Sequence, residues 1–260
     1  VRRVRFIGDA DQRIREDYLR ILRFFRFSAA YGDGGLEPTG FAAALRNRDG
    51  LAVLSRERVR QETVKLIVAP QAVAVVNAMA ESGFLEPVLG GAGDVTRLAA
   101  LVRCEGEAGL PPSPVRRLLA LGVHGAADIE RLRERLRLTN AEQKQMEMLL
   151  AARSMPTHGD VSTQLRLMLY RLGAENSRDA VLDAAARDAC AGWRAALDLL
   201  TRTPVPAFHL SGKDVMALGA PRGPEVGRLL AAAEAAWIAA GMPAGDAAQR
   251  ALLAAISRRP

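Results

Sequence analysis

The chain has 260 residues, enough to bury one large core or two modest ones. Its formal charge of +7 and pI near 10.2 suit a polyanionic partner, although only Lys65, Lys144 and Lys213 are lysines, so Arg-rich coding bias explains the charge equally well. No apolar run is long enough to span a bilayer, and the separated Cys104 and Cys190 signal neither a disulfide framework nor a zinc site, so a reducing, cytoplasmic setting is expected.

Apolar residues make up 49% of the chain but aromatics only 5%, with many Ala and Leu, which favours helices over sheets. The expected fold is all-α, with at most a short strand at the N-terminus. Val1 to Ile7 alternates basic and apolar residues as a strand would, and Gly8-Asp9 breaks it. Asp9 is a good N-cap with Gln12 three residues on, predicting a helix from about Ala10 to Ala30. Ile14, Tyr18, Ile21, Leu22 and Phe25 form its apolar stripe; Arg13, Glu16, Asp17, Arg20 and Phe24 fall on another face. Phe24, Phe25 and Phe27 read as core rather than as stacking platforms. A carboxylate pair and an arginine on one helical turn offer an acceptor and a forked donor to a planar edge such as a nucleobase. Asp9-x-Asp11 reads as a helix cap rather than a metal pair.

After a glycine-rich turn from Tyr31, a short helix from Thr39 to Arg46 and a loop at Asp49-Gly50 are expected. Ser55 then caps a helix that ends before Pro70. Further helices are separated by Gly83, Gly90-Gly91, Pro111 to Pro114, Gly125, Thr139-Asn140, Pro156, Pro204 to Pro206 and Pro221 to Pro224, at spacings too irregular for a solenoid. The turn at Gly223-Pro224 could offer backbone N–H groups to a phosphate, or be an ordinary cap. His124, His158 and His209 are isolated and read as surface or hydrogen-bonded groups, not metal ligands.

Arg5-Phe6-Ile7-Gly8-Asp9, then Arg13-Ile14-x-Glu16-Asp17-x-Leu19-Arg20-x-Leu22-Arg23-x-x-Arg26-Phe27, then Ser55-x-Glu57-Arg58-Val59-x-x-Glu62-x-x-Lys65-Leu66, together resemble the class II tRNA nucleotidyltransferase and poly(A) polymerase family. Weaker echoes lie at Leu136 to Glu142, Leu210 to Met216 and Pro221 to Leu230. The resemblance implies an irregular helical array: residues 1–8 as the last strand of a catalytic head, 9–70 as neck, 71–203 as body and 204–260 as tail. The start at Val1 suits a head lying upstream, and the head would hold the Mg²⁺ ions that activate the RNA 3′ hydroxyl; no metal is expected on this chain, which alone is expected to be inactive.

The family's Glu-Asp-x-x-Arg nucleotide template falls on Glu16, Asp17 and Arg20. A carboxylate acceptor beside a guanidinium donor complements the Watson–Crick edges of cytosine and adenine, and mismatches those of uracil and guanine. A plain surface ion pair is the bland alternative. Arg13, Arg23 and Arg26 are candidates for triphosphate or RNA contacts, and Glu57, Arg58 and Glu62 for bracing the template helix. The implied partners are CTP, ATP and a tRNA or other RNA 3′ end, with oligomeric state open. Addition of CCA to tRNA is the first reading; a poly(A) polymerase of the same family and a non-enzymatic helical RNA-binding module are the alternatives.

Overall fold

The computed structural model describes residues 2–155, 160–188 and 191–257; the expected break at Pro156, and His158 and Cys190, lie outside them. Every regular element among the described residues is helical. The N-terminal alternation does not become a strand, because residues 2–7 find no neighbouring strand to pair with. They are held instead by Asp33 N donating to Arg2 O at 3.2 Å and by Phe6 stacking on Phe24, ring centroids 5.5 Å apart.

The helix expected from Ala10 to Ala30 is two helices, α1 (Ala10–Glu16) and α2 (Leu19–Tyr31). Asp17 causes the break. Its backbone is extended (φ −158°, ψ 104°), and its Oδ1 accepts from Leu19 N at 3.1 Å, the competition with helical bonding that makes Asp a terminus residue. The expected apolar stripe is otherwise buried, apart from a half-buried Tyr18. Phe24, off the apolar stripe but read as core, is buried at 3% exposure, with Phe6 stacked on it.

Glu37 caps α3 (Pro38–Arg46), a 3₁₀ turn covers Arg48–Val53, and Ser55 caps α4 (Arg56–Ile67), which packs along α2. The chain continues through α5 (Ala72–Glu81), α6 (Leu85–Leu89), α7 (Val95–Glu107), α8 (Pro114–Gly122), α9 (Ala126–Leu136) and α10 (Asn140–Ala152). Thr139 and Glu142 close a capping box at the start of α10. Then come α11 (Val161–Asp188), α12 (Trp193–Arg202), α13 (Gly212–Ala217), α14 (Pro224–Ala239) and α15 (Asp246–Ser257). α11 is kinked at Gly173, whose φ of 75° a side chain would resist.

Two compact units result: Val1–Ser154 with Asp179–Trp193, and Met155–Arg178 with Arg194–Pro260. Unit 1 contains a buried ion cluster. Arg116, 3% exposed, donates to Glu105 at 2.8 Å and Asp179 at 2.7 Å, while Arg117 donates to the other Glu105 oxygen and to Ile67 O. Each charge is matched, the condition for tolerating buried ions, and the last bond ties the end of α4 to α8. Unit 2 packs Val215, Ala233 and Leu253 at its centre. The Leu210 to Met216 signature forms the Ser211–Asp214 capping box that starts α13.

Candidate nucleotide-selecting site

Glu16 ends α1, Asp17 sits in the break and Arg20 lies on the first turn of α2, so the three do not project from one helical face as expected. They form two clusters. Arg20 Nη1 lies 2.5 Å from Glu16 Oε2 and donates to Arg13 O at 2.6 Å, and Arg13 pairs with the same Glu16 oxygen at 2.6 Å. Asp17, turned by its extended backbone, receives Arg58 Nη2 on both oxygens, at 2.8 and 3.1 Å. The side chains of Asp17 and Arg20 each keep 26% of their surface exposed. Exposed pairs of this kind are worth little, so an incoming base edge can replace them at small cost.

Beside Arg20 opens a cleft of about 270 Å³. Arg5, Arg13, Arg20 and Arg23 supply its charge, and Phe6, Phe24 and Phe27 its apolar wall. A flat apolar wall beside guanidiniums suits a base with an attached phosphate. Arg26 is not part of the lining: its Nε lies 2.7 Å from Glu62 Oε2 and its guanidinium covers the Phe27 ring at 4.1 Å. Glu62 is 5% exposed and also faces Arg23 at 3.6 Å, so it anchors α2 to α4. Glu57 points elsewhere, to Arg137 beyond α9 at 3.4 Å.

Sequence reading missed one contact that shapes the break. The Tyr18 ring lies on Gly50 of the 3₁₀ turn so closely that a Cβ there would fall 1.9 Å from Cδ1. The partners are 32 residues apart, and only the bare glycine in a polar turn hinted at it.

The described residues hold no group of three or more His, Cys, Asp or Glu side chains placed for a metal ion. Asp9 accepts from Gln12 N at 2.7 Å as the α1 cap. Asp11 binds Arg46 at 2.5 Å and Asn47 at 2.8 Å, and the hydrogen bond from Arg46 is the main cause that holds its carboxyl below the usual range. These donors and this geometry do not fit a catalytic Mg²⁺ pair.

The family profile described as "Probable RNA and SrmB-binding site of polymerase A" matches residues 35–92. The mitochondrial CCA tRNA nucleotidyltransferase 1 of Danio rerio is 32% identical over 250 residues, 91% of this chain and 55% of that protein. The CCA-adding enzyme of Lactobacillus delbrueckii is 27% identical over 232 residues, 87% of this chain and 57% of its own length. The Bacillus stearothermophilus CCA-adding enzyme in complex with CTP superposes with a TM-score of 0.69 at 25% identity, covering 92% of this chain and 61% of that one. The Thermotoga maritima CCA-adding enzyme complexed with tRNA shares the fold, with a TM-score of 0.63 at 16% identity over 98% of this chain and 64% of its own. The chain thus spans little more than half the length of the curated relatives.

A basic, aromatic-walled cleft lies on an all-helical array whose fold is shared with solved CCA-adding enzymes. The chain belongs to the class II tRNA nucleotidyltransferase and poly(A) polymerase family and corresponds to its C-terminal part.

Proposed function

We propose that this chain selects the incoming nucleotide and holds RNA for a nucleotidyltransferase that completes the CCA end of tRNA in the cytoplasm. The observation that carries the reading is a partly exposed carboxylate, Asp17, and a partly exposed guanidinium, Arg20, three residues apart at a helix break, with Arg20 lining a cleft that holds four arginines. In this reading Asp17 accepts from the exocyclic amine of cytosine or adenine. Arg20 donates to the neighbouring ring nitrogen, and Arg13 and Arg23 meet the triphosphate. Uracil and guanine would set a carbonyl against the carboxylate and a ring N–H against the guanidinium, leaving groups unpaired. Arg58 and Glu62 keep the break and α2 rigid, which selection requires.

None of these residues performs phosphoryl transfer: Asp9 and Asp11 are taken up by Gln12, Arg46 and Asn47, and among the described residues no group of three or more His, Cys, Asp or Glu is placed for a metal ion. The chain alone is therefore expected to bind tRNA weakly, with affinity falling as salt rises, and to incorporate no labelled CTP or ATP. In a protein that also carries a catalytic head, Asp17→Asn and Arg20→Ala should relax discrimination against UTP by roughly one to two orders of magnitude. The assay is incorporation on tRNA lacking its CCA end; unchanged CTP over UTP preference in both variants would sink the reading. Incorporation from ATP alone, without CTP on that substrate, would instead mark a poly(A) polymerase.

A further inference from the structure

Unit 1 contains a second polar cleft, away from the α1–α2 break, of about 290 Å³. Asp94, Thr96, Arg97, His124, Arg153 and Arg187 line it, three guanidiniums against one carboxylate. The cations converge from three separate elements: Arg97 from α7, Arg153 from the end of α10 and Arg187 from the last turn of α11.

Two of the guanidiniums are fixed from behind. Arg97, 5% exposed, donates to Leu119 O and Val123 O at 2.8 Å and to Ala120 O, gathering carbonyls at the end of α8. Arg153 donates to Val123 O at 3.0 Å and grips both oxygens of Asp183 at 2.7 and 2.9 Å. Asp183 is 2% exposed and is not among the lining residues. Asp188, which binds Arg187 at 2.7 and 3.1 Å, is also outside the lining. Asp94 accepts from Arg97 N at 2.9 Å as the α7 cap. The carboxylates are thus occupied, while Thr96 and His124 add polar groups to the wall. Burial lowers the affinity of Arg97 for its proton, and repulsion from Arg153 and Arg187 adds to this against the pull of Asp183 and Asp94. An anion in the cleft would relieve that repulsion.

We propose that this cleft binds the oxyanion of a phosphate group, supplied either by a free anion such as pyrophosphate or by an RNA phosphodiester. One bidentate arginine satisfies a carboxylate, whereas a tetrahedral oxyanion can accept from guanidiniums arriving along three directions. The volume lies near the roughly 300 Å³ lower limit of ligand pockets, which suits a small, multiply charged group. Donors already fixed by carbonyls and a buried carboxylate lose little freedom on binding. The site stands independently of the nucleotide-selecting reading.

The chain has three histidines, so the imidazole proton resonance of His124 can be assigned by comparison with His124→Gln and followed by NMR in the full chain. Inorganic pyrophosphate should move that resonance saturably. Arg187→Gln should weaken this response roughly tenfold, the loss of one charge-assisted contact, with an unchanged melting temperature because Arg187 is exposed. If tRNA but not pyrophosphate moves the resonance, and Arg187→Gln weakens that effect, the phosphodiester is the source and the proposal stands. Loss of the response in Arg20→Ala would place the anion in the first cleft and overturn the proposal. So would silence of the His124 signal to both probes, or equal affinity in wild type and Arg187→Gln.

Discussion

Replacing Gly50 by Ala tests whether the Tyr18 contact sets the break between α1 and α2. The new Cβ would sit 1.9 Å from Tyr18 Cδ1, 2.2 Å from Cε1 and 2.4 Å from Cγ, where ordinary contact begins at 3.4 Å. Either the ring or the 3₁₀ turn must therefore move by more than an ångström. The turn is held by Gly50 N donating to Asn47 O at 3.0 Å, and Asn47 in turn donates to Asp11 and to Ala43 O, so the half-buried ring should yield first. Overpacking of this kind costs about 1–3 kcal/mol, and urea denaturation monitored by circular dichroism resolves such a loss. Tyr18→Ala alone removes packing, yet in the Gly50→Ala background it also removes the clash. The double variant should therefore be more stable than the sum of the two single losses by about 1–2 kcal/mol. Additivity within about 0.5 kcal/mol would refute the contact as the cause. In a protein carrying a catalytic head, Gly50→Ala should also blur CTP over UTP selection, because displacing Tyr18 moves Asp17 next to it.

Arg116→Ala leaves Glu105 and Asp179 buried without their shared cation and should cost about 3–5 kcal/mol in urea unfolding; a loss below about 1 kcal/mol would show that water reaches the cluster. Glu62→Gln removes the charge between Arg23 and Arg26 and should cost about 2 kcal/mol, with faster hydrogen exchange concentrated in α2. Burial works to raise the Glu142 carboxyl, but the Arg60 guanidinium and the Thr139 N–H and hydroxyl outweigh it and hold it below its ordinary 4.5. A depressed carboxyl stabilises the fold above its unfolded value and ceases to do so as pH falls through the folded one. The urea midpoint should therefore drop more steeply below about pH 4.5 in wild type than in Glu142→Gln; parallel profiles would contradict the pairing with Arg60.

Helix termini were legible because they depend on neighbours in the chain. Asp9 and Ser55 cap where their side chains suggested, Thr139, read only as a break between helices, caps α10, and Gly83 and Gly90 adopt the positive φ that ends a helix. The break at Asp17 was not legible. Ile14, Ile21 and Phe25 keep a helical period across it, so periodicity alone predicted one continuous helix, and the ring that stacks on Phe24, Phe6, lies outside that helix. Glu57 and Glu62 share a helix and a sequence neighbourhood, yet Glu62 is buried against α2 while Glu57 reaches Arg137. Nothing in their spacing separates them; the packing of α4 between α2 and α9 does.

The sequence by itself determined an all-helical chain, the places where most helices begin, and the residue types, Glu16, Asp17 and Arg20, that can read a donor–acceptor edge. Only the tertiary structure decided how they are held. Arg58 reaches Asp17 from 41 residues away, Tyr18 seats on Gly50, and Arg97, Arg153 and Arg187 converge from α7, α10 and α11. Local propensity acts over about one helical turn, whereas the orientation of a charged side chain is set by whichever partners packing brings within hydrogen-bonding reach.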